Sequence, residues 1–293
     1  MTAMKKREYL NFPAEWEHIE SHYVGPFLTR IVHRRPDGTL DVRTSRRHRK
    51  RFGPEPAPEA AEKKRPKYLL WRPRLLNWWI ALLFMIGAWH FVSGSLLTLA
   101  GSSYLYVIDL IYFIGSIFFT SAGYSQYFQA INAPETVDEK GQSPAPQPRR
   151  YFGWQPHRLD FWATFPQFLG TLAFNISTFM AFVDVRWLGY DILVWVPDYV
   201  GSVLFLISGV AAAFEFCHRF WCWRLKSLTW WIVMINFIGC IAFMISAFVA
   251  FVRPNPIFSN LMTWATIFTL IGAVCFFVGA YLMWPEMAQE ESA

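Results

Sequence analysis

A chain of 293 residues that is 54% hydrophobic and only 16% charged is not an ordinary soluble domain, where about 25% of residues carry charge. The excess of Lys and Arg, a net +6, gathers before the first apolar run and in the connections. The apolar residues gather in runs of about 20 or more, the length a helix needs to cross a hydrocarbon core, which argues for a membrane-embedded protein and against a soluble enzyme.

Residues 1–67 read as a basic, soluble segment with 16 Lys/Arg against 9 Asp/Glu. The segment is too long and too rich in Glu and Pro for a signal n-region, so no cleavable signal peptide is expected. Pro13 to His22 reads as one or two helical turns. On such a helix Glu15, His18 and His22 share a face, but two His and one Glu match no closed metal site, so a solvated turn is the expectation. Thr29–Arg34 and Thr39–Thr44 flank Pro36-Asp-Gly38 and predict a β-hairpin. The cluster Arg46 to Arg51 then reads as a contact to anionic lipid headgroups rather than to nucleic acid.

Six hydrophobic spans follow, at roughly 75–99, 104–129, 159–182, 195–216, 227–252 and 260–284. They divide the chain into a hairpin at 68–130, a Pro-rich linker at 131–157, hairpins at 158–218 and 219–285, and a tail at 286–293. One side of the membrane would hold 25 Lys/Arg and the other only Arg186 and Arg253. The positive-inside rule then places both termini in the cytoplasm of a plasma-membrane protein. The connection Asp184 to Asp191 falls on the outer side. The four cysteines form no CxxC pair. Cys240 and Cys275 read as small hydrophobes. Cys217 and Cys222 read as free thiols, since with His218 they supply too few ligands for a metal.

A skeleton recurs three times. Trp71, Trp79, Gly87, Phe91 and Gly94 have the spacing 8, 8, 4, 3. Trp154, Trp162, Gly170, Phe174 and Ser177 repeat it, as do Trp223, Trp231, Gly239, Phe243 and Ser246. The other spans carry its second half, in Gly115/Phe119, Gly201/Phe205 and Gly272/Phe276. Glycine and phenylalanine four apart lie on one helix face. In lipid, small residues become the helix contacts because the hydrophobic effect does not drive helices together. The pattern predicts a Phe of each helix entering the Gly notch of an antiparallel neighbour. Two spans per unit give three hairpins of parallel orientation about an axis along the membrane normal. The Trp residues form an interfacial belt.

Trp-Trp-x7-Gly-x3-Phe, followed by Gly-Ser and Phe in the second span, resembles the YrhK-like membrane domain. The closest stretches are Val196 to Ser202, Gly170 to Ser177 and Trp230 to Gly239. The resemblance covers about residues 71–285. It implies a multi-pass membrane protein and supplies no catalytic residues.

Ionisable groups within spans are functional candidates by default. His90 and Asp109 could pair across the first hairpin. Asp198, after Pro197, fits a helix N-terminus, and Glu215 reads as snorkelling toward Arg219. Gln167 and Asn236 occupy equivalent repeat positions and suggest, with Asn175, a polar layer beside a kink at Pro166. No nucleophile-base set or phosphate loop appears in a credible context, so no catalytic, cofactor or metal site is expected. The sequence therefore suggests a non-enzymatic scaffold or partner-binding membrane component, with a small transporter or channel as the alternative.

Overall fold

The computed structural model describes residues 10–55, 71–138, 141, 148–181, 191–251 and 260–292. A small sheet comes first, with strands β1 (Glu17–Val24), β2 (Phe27–Arg34) and β3 (Leu40–Thr44), each antiparallel to the next. Gly38, at φ 83°, closes the β2–β3 turn, and the Asp37 carboxylate accepts from the amide (2.9 Å) and hydroxyl (2.6 Å) of Thr39. Such a side-chain-to-backbone bond is why Asp favours turns.

The helical turns expected at Pro13 to His22 are not formed, because Glu17–Val24 is strand β1. Two bulges break its alternation, which hides the period of 2 on which a strand is recognised. Gly25, at φ 57°, makes the turn back into β2. Glu15, His18 and His22 therefore share no helix face. His18 bonds Ser21 at 2.7 Å, and His22 lies beside Glu20 at 2.9 Å. Leu10, Trp16, Leu28, Ile31 and Val137 form the sheet's own small core.

A short helix α1 (Ser45–Arg49) continues directly from β3, and α2 (Leu76–Leu99) and α3 (Leu105–Ile131) follow. Next come α4 (Leu159–Trp162), α5 (Phe165–Met180), a π-helical turn (Asp191–Trp195), α6 (Val196–Cys217), α7 (Leu228–Val249) and α8 (Leu261–Ser292). Five of these helices are long and apolar enough to cross a membrane. The third expected span, 159–182, is instead divided at Ala163-Thr164. The Thr164 hydroxyl donates back to the carbonyls of Asp160 (2.9 Å) and Phe161 (3.3 Å). Pro166 lies in the first turn of α5, where its missing N–H leaves no helical bond unmade. At 16 residues α5 is about 24 Å long.

The long helices and α5 form a closed ring. Contacts run α2, α3, α5, α6, α7, α8, and α8 returns to α2. Within three of the neighbouring pairs, glycines face each other. A Cβ on Gly87 would lie 3.0 Å from the Gly115 carbonyl, one on Gly201 2.9 Å from that of Gly170, and one on Gly272 3.2 Å from that of Gly239. Each glycine also receives the phenylalanine of its partner helix. Phe91 meets Gly115, Phe119 meets Gly87, and the pairs Phe174/Gly201, Phe205/Gly170, Phe243/Gly272 and Phe276/Gly239 behave alike. The six phenylalanines then meet one another on the ring axis, with centroids 5.0–6.3 Å apart. All six are buried, so an aromatic layer fills the middle of the bundle.

The tryptophan spacing also has a physical basis. The indoles of Trp79, Trp162 and Trp231 each donate to the carbonyl six residues earlier, at Pro73 (2.8 Å), Pro156 (3.0 Å) and Leu225 (3.0 Å). Trp71, Trp154 and Trp223 each pack on the ring seven residues later, at Trp78, Phe161 and Trp230. These contacts hold the chain's entry into α2, α4 and α7. Outward faces carry exposed apolar residues such as Trp89, Ile176, Ile238 and Phe248, the surface a lipid-facing helix presents.

Cys217 and Cys222 are joined in a disulfide, not free as expected. His218, at φ 54°, ends α6 in the left-handed region, so the chain turns back sharply and brings the two Cα atoms to 5.4 Å. Cys240 and Cys275 remain thiols.

Adding one methyl group at Gly201 forces the α5 and α6 backbones apart. Gly201→Ala should cost about 1–3 kcal/mol, read as a lower unfolding temperature in detergent. Gly53→Ala, with open space at its Cβ position, should leave the transition in place.

Candidate functional site

One end of the ring is occupied by α1, which is among the most basic stretches of the chain. Its side chains turn inward. Ser45 donates to Glu215 (2.8 Å), and Arg49 pairs with the same carboxylate (3.3 Å). Arg46 pairs with Glu286 (3.3 Å), whose other oxygen binds Lys50, and Arg47 pairs with Glu290. Thr229 of α7 also donates to Glu286 (3.1 Å). The backbone carbonyl of Lys50 accepts from Asn77 of α2 (3.0 Å), and Asn77 accepts from Gln129 of α3 (2.8 Å). His48 donates to the Pro134 carbonyl (2.6 Å). Arg158, beside α4, lies next to it, paired with Asp160. The cluster read as a headgroup contact is thus a plug whose charges face the protein's own carboxylates.

Burial sets the electrostatics. Glu215 and Lys50 are 0% and 4% exposed. A buried charge must be paired and hydrogen-bonded to be tolerated. Burial, reinforced by Arg46, pushes the Lys50 ammonium down to about 8, with Glu286 opposing, so Lys50 remains charged at pH 7. His48 is pushed down to about 4 by burial and then by Arg158, and is neutral at pH 7. His218, which ends α6, falls to about 3 through burial and then Arg224.

Beneath the plug lies a chamber of about 70 Å³. Its roof is Arg46 and Arg49. Its walls include Gln126 of α3, Gln167 of α5, Ser208 of α6 and Asn236 of α7, and its floor reaches Phe84 and Phe276 of the aromatic core. A wider crevice of about 920 Å³ runs between the sheet and the ring beside the plug.

The residues singled out from sequence divide accordingly. Gln167 and Asn236 face the chamber. Asn175 does not; its amide donates to Thr120 of α3 (2.8 Å). His90 and Asp109 do not pair. With Gly115 against His90, the α2–α3 register leaves Asp109 six residues, about 9 Å, away along α3. His90 instead bonds the Ile86 carbonyl (2.8 Å) and stacks on Phe118. Asp198 sits in the first turn of α6 after Pro197. The connection containing Asp184 lies outside the described residues. Glu215 faces Arg49 rather than Arg219. The sequence reading missed Gln126, Ser208, Arg46, Arg49 and Glu286 as site residues. A carboxylate late in an apolar helix was the available signal for Glu286. Among the described residues no group of three His, Cys, Asp or Glu is placed to hold a metal.

Glu286 carries the largest share of the latch, and Glu286→Gln leaves Arg46 and Lys50 buried without their counter-charge. The expected loss is about 3–5 kcal/mol, measured as a fall in unfolding temperature, with trypsin gaining access to Arg46–Arg51. The latch should also weaken in acid. Since the folded pKa of His48 lies below its ordinary 6.5, the unfolded chain binds more protons between about pH 4 and 6.5. Stability is present above this window and is lost as pH falls through it, by on the order of 3 kcal/mol for full protonation. His48→Gln, followed by thermal unfolding at pH 7 and pH 5, should flatten that dependence.

Comparison of the chain with protein-family models, with curated proteins and with solved structures finds no match in any of the three.

Proposed function

We propose that the chain is a six-span membrane protein of three hairpins and that its role is a non-enzymatic scaffold or partner-binding component. The observation that carries the reading is the aromatic layer. Six buried phenylalanines fill the ring axis, and glycine contacts leave the helix pairs no slack. The plug supports it further, because buried ion pairs fix the sheet to the bundle. A rigidly mounted sheet is the surface that a protein partner would meet. The repeated Trp, Gly and Phe contacts support equivalent hairpins, and α5 with α4 would complete the third span. The same motifs underlie the resemblance to YrhK-like domains.

The excess of Lys and Arg on the plug side supports a plasma-membrane orientation with both termini cytoplasmic. The Cys217–Cys222 disulfide lies on that same side, although disulfides persist mainly in oxidising compartments. Labelling of a terminal cysteine by a membrane-impermeant maleimide in intact cells decides between them. Protection supports the cytoplasmic orientation, and labelling reverses it. Anionic headgroups remain proposed partners of the basic N-terminal segment, through exposed cations such as Arg51 rather than through the inward-facing α1.

The alternative, a small transporter or channel, draws on the chamber lined by Gln167 and Asn236. Purified protein in liposomes distinguishes the two. The scaffold reading predicts no flux of potassium, chloride or nitrate above that of empty vesicles. Flux that is abolished by Gln167→Leu would replace it with the transport reading.

A further inference from the structure

Among the described residues, the four inward-facing cations of the plug, exposed Arg51 apart, outnumber by one the carboxylates they meet. Arg46, Arg47, Arg49 and Lys50 meet Glu215, Glu286 and Glu290, with Arg46 and Lys50 sharing Glu286. Two of these four cations line the chamber. Arg46 and Arg49 are the charged residues lining it, and no carboxylate is among the lining residues. The Nε atoms of both are buried and have no hydrogen-bond partner among the described residues, although Arg49 is only 3% exposed. A buried guanidinium N–H without an acceptor is costly, and both of these arginines line the same polar cavity. The side-chain amides of Gln126 and Gln167 face the same space without a hydrogen bond to another described residue.

We infer that the chamber is a binding site for a small monovalent anion of the nitrate, bicarbonate or halide class. The surplus of one charge sets the valence. The volume of about 70 Å³ sets the size, being several times the roughly 10–15 Å³ that one water requires by this measure. Guanidinium N–H groups provide the charge-assisted bonds, and the Gln126 and Gln167 amides complete the shell. The occupied site neutralises the plug and ties α1 to α3 and α5, so the anion stabilises the folded state as any ligand of the native form does. The inference concerns binding and holds whether or not the protein transports.

Thermal unfolding of the full chain in detergent tests it, in sodium nitrate against sodium gluconate at matched ionic strength. Gluconate is too large for the chamber. The expected result is a saturable rise in unfolding temperature with nitrate. In the Gln126→Leu/Gln167→Leu variant, which leaves every ion pair of the plug in place, half-saturation should move by about tenfold or more. An undiminished nitrate response in that variant places the anion elsewhere and overturns the proposal, as does a response no greater than that to gluconate. Sulfate binding more tightly than nitrate overturns the monovalent class. Should the variant fail to fold, crystals of the unaltered protein grown with bromide decide the matter. An anomalous peak in contact with Arg46 and Arg49 supports the site, and peaks confined to the surface refute it.

Discussion

Carboxylates at the ends of apolar helices have to be paired, and that requirement organises one whole end of this protein. Glu215 closes α6 and Glu286 lies late in α8, both almost without solvent contact. Neither could remain there charged without a cation and hydrogen bonds. The chain supplies both from a distance of 166 to 240 residues, through Ser45, Arg46, Arg49 and Lys50. Because α1 leaves β3 without a break, docking α1 also docks the sheet. Roofing the chamber, burying His48 and fixing the soluble module are then consequences of one set of ion pairs. Replacing such pairs by apolar residues is often neutral or stabilising, so their benefit here is the single position they give to α1.

Deeper in the ring the governing constraint changes from charge to shape. Lipid tails solvate a leucine as well as a neighbouring helix does, so helix association draws on close packing instead. The exchanged Gly–Phe contacts supply it. A glycine on each helix lets the backbones nearly touch, and the phenylalanine one turn away fills its partner's notch and reaches the axis. The same six side chains thus bind the helix pairs and close the centre, and the chamber with its polar walls lies above them.

The parts legible in the sequence are those encoded by local spacing. Gly-x3-Phe lies on one helix face whatever the rest of the chain does, and its atoms meet in the structure. The Pro36-Asp-Gly38 turn is equally local. The β1 strand was hidden because two bulges interrupt its alternation, although Gly25-Pro26 marked a turn. The division of the third apolar stretch depends on Thr164 satisfying carbonyls of its own turn, which apolar content does not reveal. The Cys217–Cys222 bond needs the left-handed turn at His218, a backbone property that spacing alone leaves open. The plug was read as a surface cluster because its counter-charges lie in α6 and α8, far along the chain. Gln167 and Asn236 were legible as a layer through the repeat, while the arginines above them required the fold.

The most direct test of the plug as a structural element is hydrogen exchange over residues 45–52. The amides of Lys50, Arg51 and Phe52 donate within α1 and its C-terminal turn, beneath a sheet and above a closed ring. The account predicts slow exchange there, comparable to the ends of α6 and α8, and rapid exchange once Glu215 and Glu286 are both changed to Gln. Complete exchange within seconds in the unaltered protein, as for a basic segment lying loosely on headgroups, would contradict it.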